Sequence, residues 1–324
     1  MSLPDGVAPF IERAGWSDAA VEPLPGDASF RRYFRLRRAG GETAMLMHAP
    51  PPHEDPKPFL HVSDYLSRHG LRAPETLASD PDEGLVLLED FGDERLADRL
   101  AEDDSEEEAL YAGAIDALVA LHRQPPGDFA LYDLATYMRE VELFTEWYCP
   151  LAGLEVDGAA HTDAWIRVLS ELPDRQSPGV TVLRDYHAEN IMLTPAGEQG
   201  LIDFQDALVG HPAYDLVSLL QDARRDVKPG LEAVMLDRYR AAMQPNDRFL
   251  ADYALLGAQR NAKIVGIFAR LAERDGKPKY LALVPRVWDL LERDLKHPIL
   301  TPVADWFAAN IPAEVRQAGG GIAA

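Results

Sequence analysis

The sequence predicts an α+β fold in two lobes: a small antiparallel sheet carrying one helix, and a larger, mainly helical lobe. Three observations carry this. Strand-like runs crowd residues 1–91, where Phe30, Phe34 and Leu36 alternate with arginines and "TAMLMHAP" and "EGLVLLED" follow. The character changes after "FGDERLADRLAEDD", where "SEEEALYAGAIDALVALHRQ" opens a run of helical patterns. The helical character then persists to the end except around "TVLRDYHAENIMLTPAGEQGLIDF". Strands first and helices afterwards make two layers with separate cores. The expected division is an N-terminal lobe, 1–91, and a C-terminal lobe, 92–324.

In chain order, "DGVAPFIERAG" reads as a helix, and "AGGE" is a turn joining two strands. "PPPHEDPKP" is a proline-rich loop. "PFLHVSDYLSRHG" is a helix with Leu60, Tyr65 and His69 at near-helical spacing, ending at Gly70. In "SEEEALYAGAIDALVALHRQ", Leu110, Ala114, Leu118 and Leu121 form one apolar face. The region around Asp185 reads as loop, short strand, a turn at "PAGEQG" and a second short strand. Several helices and an "AGGGIAA" tail close the chain.

Composition bounds the function. The 324 residues are 47% hydrophobic and 27% charged, the mix of a globular protein. Against 32 basic residues stand 54 acidic ones, a net charge of −22, so nucleic acid is not an expected partner. The acidity reads as a solubility device; a cationic substrate is allowed but not required. Cys149 is the only cysteine, which rules out an intramolecular disulfide and a cysteine-rich zinc site. No signal peptide or membrane-length apolar run is apparent, and a cytoplasmic location is expected.

One stretch carries chemistry. Asp185 and Asn190 stand five residues apart between apolar runs, and Asp203 follows thirteen residues later in "LIDF". Phosphoryl transfer needs hard oxygen ligands for Mg²⁺ and a carboxylate near the attacking hydroxyl. Asp185 can be that base. Two short strands joined by "TPAGEQG" would bring Asn190 and Asp203 together as metal ligands. Taken singly, each of the three reads equally well as a loop cap or a strand end. In combination the metal reading gains, because a charge beside the core strand "LIDF" is costly without a partner.

"RDYHAENIM" followed by "LIDFQDA" resembles the catalytic and metal-binding loops of the aminoglycoside phosphotransferase-like kinases, relatives of the protein kinases. That family shows His-Gly-Asp-x-His-x-x-x-Asn and then Ile-Asp-Phe or Ile-Asp-Trp. The resemblance implies a protein-kinase-like fold with ATP and Mg²⁺ as cofactors. It makes Asp185 the catalytic acid, His187 the second His, and Asn190 and Asp203 the metal ligands. Leu183 replaces the first His and Arg184 the Gly. "HPAYDLVSLL" matches the segment that follows in the family, with Asp215 a structural acid supporting the loop.

The nucleotide end departs further. "PGDASFRRYFRL" is similar to the phosphate-covering hairpin but has one glycine and no G-x-G-x-x-G. "TAMLMHAP" lacks the phosphate-binding lysine of kinases; Met47 or His48 stands near its place, and Lys57 is the only lysine in the first 200 residues. Ser29, Arg31 and Arg32 are the expected phosphate-side residues, with Arg35 close by, because an arginine fork binds phosphate. Each arginine reads equally as a solvated strand face. The backbone of Glu89, Asp90 and Phe91 is expected to meet adenine.

"GDASFRRYFR", the "APPP" loop, "LLEDFGD" and "QRNAKIVGIFARLAERDGKPKYL" together resemble one branch: the bacterial anomeric kinases of cell-wall sugar (peptidoglycan) recycling. These phosphorylate N-acetylmuramate and N-acetylglucosamine at the C1 hydroxyl. The implied partner is a small amino sugar, with neither nucleic acid nor membrane and with a monomer compatible. His187, Gln205, Arg260 and Lys263 are the expected substrate contacts, Arg260 or Lys263 facing a lactyl carboxylate; surface salt bridges are the competing reading for the last two. An aminoglycoside- or choline-type hydroxyl kinase is the alternative within the family. The missing lysine leaves a ligand-binding pseudokinase as the alternative of another class. No G-x-x-x-x-G-K-[ST], H-E-x-x-H or G-x-S-x-G occurs.

Overall fold

The computed structural model describes residues 3–25 and 30–321. Along the chain run α1 (Val7–Arg13), β1 (Ala20–Pro23), β2 (Arg32–Arg37), β3 (Thr43–His48), α2 (Lys57–Arg68), β4 (Thr76–Asp80), β5 (Leu85–Glu89), α3 (Leu96–Glu102), α4 (Glu107–His122) and α5 (Leu134–Leu143). A π-helical turn, Phe144–Tyr148, leads into α6 (Cys149–Leu151), α7 (Gly158–Leu169) and α8 (Leu172–Gln176). Then come β6 (Val180–Val182), β7 (Ile191–Leu193), β8 (Gln199–Leu201), β9 (Leu208–Gly210), α9 (Ala213–Leu220), α10 (Leu231–Met243), α11 (Phe249–Glu273), α12 (Val284–Asp294), α13 (Thr301–Asn310) and α14 (Ala313–Gln317).

The residues group into two compact units, Met1–Glu106 with Glu189–Ala207, and Glu107–Ala188 with Leu208–Ala324. The division expected at residue 91 therefore moves. Segment 92–106 and the β7–β8 hairpin join the first unit because the backbone ties them there. Leu193 donates to the Glu94 carbonyl at 2.8 Å, Leu201 to the Arg72 carbonyl at 2.7 Å, and Arg95 bridges Met192.

The first unit holds an antiparallel sheet in the order β1-β2-β3-β5-β4. Alternation sorts its residues by face. Phe34, Leu36, Ala44, Leu46, Leu85 and Leu87 pack with Val7, Phe10, Ile11 and Trp16 of the N-terminal segment. Cross-strand register places Tyr33 opposite Met47, Arg35 opposite Met45, and Met45 and Met47 opposite Leu88 and Val86, all on the other face. The helix expected from "PFLHVSDYLSR" is α2, but its buried face is Phe59, Val62, Ser63 and Leu66 rather than the Leu60–Tyr65–His69 face. The spacing i, i+3, i+7 starting at Phe59 is the true helical stripe.

The second unit is built around α11, 25 residues long, which packs on α5, α9, α12 and the π-helical turn. At Gly266 a Cβ would stand 2.4 Å from the Leu143 backbone, so only glycine allows this approach. Among the described residues no helix is long and apolar enough to cross a membrane.

Candidate active site

Short strands aim the loop that carries Asp185 in the second unit. β6 pairs antiparallel with β9 and releases the chain at Leu183. Arg184 takes φ 71°, the left-handed region that glycine adopts freely. This explains why the family pattern has a glycine there, and an L-residue pays about 1–2 kcal/mol for it. The Asp215 carboxylate, fully buried, accepts from the Leu183 N–H at 2.7 Å and the Arg184 N–H at 2.8 Å. Burial pushes Asp215 up to about 7, and those two N–H groups oppose it. The Tyr186 hydroxyl donates to the Ala114 carbonyl at 2.8 Å and pins the loop to α4.

The Asp185 side chain remains 48% exposed. Burial in the loop pushes its pKa up, but the charges of Lys263, Arg260 and Arg184 outweigh this and hold it below the ordinary carboxylate value. Arg260, only 3% exposed, places Nη2 3.7 Å from Asp185 Oδ1 and donates to Ser218 Oγ at 2.8 Å. One turn on, Lys263 Nζ donates to Glu140 Oε1 at 2.8 Å and to the Tyr214 hydroxyl at 3.2 Å. Glu140 also accepts from Arg184 Nη2 at 2.5 Å, from Gln259 Nε2 at 3.0 Å and from the Tyr132 hydroxyl. The buried carboxylate thus bridges two cations, leaving a net positive charge beside Asp185, and gives the strained Arg184 an anchor. The surface-salt-bridge alternative does not hold for Arg260 and Lys263: Arg260 is buried in α11, and the Lys263 side chain is only 13% exposed.

The first unit holds the amide and the second acid, Asn190 and Asp203. Five residues after Asp185 the chain reaches Asn190 and enters β7. β7 and β8 pair with Ile191 opposite Leu201, so the residues flanking the hairpin, Asn190 and Asp203, come together as the spacing predicts. Asn190 Nδ2 lies 3.5 Å from Asp203 Oδ2, and the Ile202 N–H donates to the Asn190 carbonyl at 3.1 Å. Asp203 has φ 58°, a conformation Asp tolerates better than most residues. Phe204 stacks on Phe59 of α2 with ring centroids 5.0 Å apart. Phe91 lies against Gly200, where a Cβ would stand 2.4 Å from the ring. Among the described residues no three His, Cys, Asp or Glu side chains cluster as a metal site. One carboxylate with one amide instead suits a hard cation that takes its remaining ligands from phosphate and water.

Several sequence expectations change. His187 is 4% exposed, with Nε2 accepting from Arg224 at 3.1 Å. Burial, then Arg224, lowers it to about 4, so it supports the loop as a neutral ring rather than meeting substrate. Gln205 Nε2 donates to Asp203 Oδ1 at 2.9 Å and orients that acid. Arg32 shares strand parity with Phe34 and Leu36 and so ends on the α1 face of the sheet. Arg35 is held by Asp90 at 2.7 Å and by Asp93 at 2.8 Å. The Glu89 N–H is spent on the Glu75 carbonyl at 2.8 Å and its carboxylate on Arg72, so it has no N–H for adenine. The Asp90 side chain holds Arg35, and Phe91 is 5% exposed beneath the Arg72 guanidinium, leaving their backbone as the adenine candidates. Arg31 pairs with Glu54 at 3.2 Å. Ser29 lies outside the described residues. Sequence reasoning missed Glu140, Ser218, Glu54 and Arg72. Their only signal is a charge or hydroxyl within an apolar pattern, and the partner that makes it matter is distant in sequence.

A family model, "Phosphotransferase enzyme family", matches residues 20–253, more than half of the chain. The chain belongs to the phosphotransferase enzyme family. Asp185, Asn190 and Asp203 fall inside the matched span, whereas Gln259, Arg260 and Lys263 fall beyond it. Two curated relatives are both named N-acetylmuramate/N-acetylglucosamine kinase. The one from Caulobacter vibrioides is 38% identical, covering 96% of this chain and 97% of its own. The one from Pseudomonas aeruginosa is 38% identical, covering 86% and 85%. A solved choline kinase, LicA from Streptococcus pneumoniae, shares the fold at 14% identity with TM-score 0.60, covering 90% of this phosphotransferase and 97% of its own chain. The fold is therefore α+β and protein-kinase-like, and the enzyme is a kinase acting on a hydroxyl.

Proposed function

We propose that this kinase transfers the γ-phosphoryl group of ATP to the anomeric C1 hydroxyl of N-acetylmuramate or N-acetylglucosamine. The observation that carries the reading is the setting of Asp185: a half-exposed carboxylate kept ionised by Lys263 and Arg260 from α11. The names of the relatives supply the sugars. A positive field beside the base disfavours a polycationic aminoglycoside and suits a sugar that is neutral or, like muramate, carries a carboxylate. The proposed compartment is the cytoplasm, where ATP is made.

Asp185 orients the C1 hydroxyl and accepts its proton. The sugar oxygen forms the new bond to the γ-phosphorus, the bond from that phosphorus to the β,γ-bridging oxygen breaks, and ADP leaves with the electron pair. Asn190 and Asp203 would hold Mg²⁺, which when bound neutralises charge on the phosphates. Gln205 fixes the orientation of Asp203, and Asp215 fixes the loop that carries Asp185. The acid–base contribution of such a group is roughly 10²–10⁴-fold.

Phosphorus NMR of the products from Mg-ATP and a panel of amino sugars and aminoglycosides tests the reading. The expected product is a sugar 1-phosphate, with Asp185→Asn slower by roughly 10²–10⁴-fold while it stays folded. Phosphorylation at another hydroxyl, or of aminoglycosides alone, refutes the substrate. Equal inactivity of wild type and variant supports the pseudokinase instead.

A further inference from the structure

Among the described residues, the face of the first unit's sheet opposite α1 has no lysine. Lys57, the one lysine of this unit, is 63% exposed and lies 3.7 Å from Asp82. Arg35 is committed to Asp90 and Asp93, and Arg32 shares the parity of the α1 face. Arg31 shares the parity of Tyr33 and Arg35 and immediately precedes β2. Its Nε donates to Glu54 Oε2 at 3.2 Å, and the two side chains are 14% and 16% exposed. The neighbouring residues repeat the contact, Phe30 stacking on His53 with centroids 5.0 Å apart. The Tyr33 hydroxyl bonds to Met47 Sδ at 3.5 Å and to the Arg31 side chain. Burial raises the Tyr33 pKa, Arg31 opposes this, and the charge of Asp203 adds to it, so Arg31 and Asp203 act on one hydroxyl. Both ends are anchored near the start of α2: Glu54 precedes the helix by three residues, and Phe59 within it stacks on Phe204 beside Asp203.

We propose that Arg31 is the cation that meets the ATP phosphates and that Glu54 positions it, the pair replacing a strand lysine and its helix glutamate. This rests on the ATP-dependent reading above but not on the sugar. An arginine fork can hold two phosphate oxygens where a lysine holds one point. A carboxylate behind the guanidinium restricts its rotamers before nucleotide arrives.

Calorimetry with ADP and AMP, run without acceptor on the full chain, tests the pair. Arg31→Met is expected to weaken ADP by roughly 10- to 100-fold, the range of a charged hydrogen-bonded contact, and AMP by much less. Arg31→Lys recovers part of the ADP affinity, and Glu54→Gln loses less than Arg31→Met. Lys57→Met leaves both nucleotides unchanged. Equal losses for ADP and AMP mark a structural role and overturn the proposal, as does unchanged ADP affinity in Arg31→Met. A wild-type chain that binds no ADP overturns the ATP-dependent reading as well. ADP binding that follows the expected pattern, with no sugar phosphorylated, sustains the pair and removes only the substrate.

Discussion

Glu140→Gln is the sharpest test of how the catalytic loop is held. The substitution keeps the shape of a side chain 9% exposed and removes one charge. That charge faces Arg184 at 2.5 Å and Lys263 at 2.8 Å, whose side chains are 20% and 13% exposed. Removing one partner from a buried ionic cluster costs about 3–5 kcal/mol, because the remaining charge stays desolvated. Two cations are stranded here, but they are not equivalent. Lys263 can release its proton when its counter-charge goes, whereas Arg184 cannot. The cost should therefore shrink as pH rises through the alkaline range. Adding Lys263→Met, which leaves no ammonium to strand, should restore roughly half of the loss, a coupling of the size that contacting residues show. Denaturant unfolding of wild type, both single variants and the double variant at pH 7 and pH 9 measures this. Because Arg184 immediately precedes Asp185, kcat should fall with stability in Glu140→Gln. The reasoning fails if Glu140→Gln costs less than about 1 kcal/mol, the value of an exposed pair, or if Lys263→Met adds to the damage.

Arg260→Met removes a cation that holds Asp185 below its ordinary value. As the proposed base, Asp185 must be ionised to act, so the acid limb of the kcat–pH profile should move to higher pH; an unmoved limb with lowered kcat would mark Arg260 as structural only. Asp294 accepts from Gln221 and Asn261 inside the second unit, and burial raises it from 3.8 to about 8. Its folded form keeps a proton that the unfolded chain releases. Its contribution is therefore full below about pH 4 and declines by about 1.4 kcal/mol per unit until the pH passes 8. Asp294→Asn should flatten that part of the stability–pH curve, and an unchanged slope counts against a protonated Asp294.

Local pattern carried the sequence reading wherever chemistry and secondary structure coincide. Asn190 and Asp203 were legible as a pair because a tight hairpin fixes what it brings together, whatever the rest of the fold does. The α+β order was legible because alternation in "RRYFRLRR" and helical spacing in "EEALYAGAIDALVALH" are local properties. The face of α2 was misread because its Leu60 and Tyr65 compete with Phe59 and Val62 in the same window, and only packing decides. The grouping of residues 92–106 and the β7–β8 hairpin with the first unit was not legible, because the hairpin is distant in sequence. His187 and Gln205 sit beside Asp185 and Asp203 in sequence, which is why they read as substrate contacts. Their side chains instead turn toward Arg224 and Asp203. Glu140 was invisible, since its four donors come from α5's neighbouring loop, the catalytic loop and α11, none within a readable window.

The strength of the base bears on the choice of acceptor. A carboxylate held below its ordinary value is a weak base, and general-base efficiency falls as the gap widens between the base and the group it deprotonates. Clustered cations around Asp185 would thus be a handicap for an ordinary alcohol. An anomeric hydroxyl is more acidic and narrows that gap, and the same cations then have a use: they keep Asp185 ionised and oriented and set a field that favours negative charge on the attacking oxygen. Arg260 and Lys263 lie on α11, beyond the span that the family model matches. Competition between acceptors checks this reasoning. If the helix cations match the base to an acidic hydroxyl, Arg260→Met should lose more activity toward a C1 hydroxyl than toward the same sugar with C1 blocked and another hydroxyl offered. Equal losses on both would separate the cations from acceptor choice and leave them as supports of the loop alone.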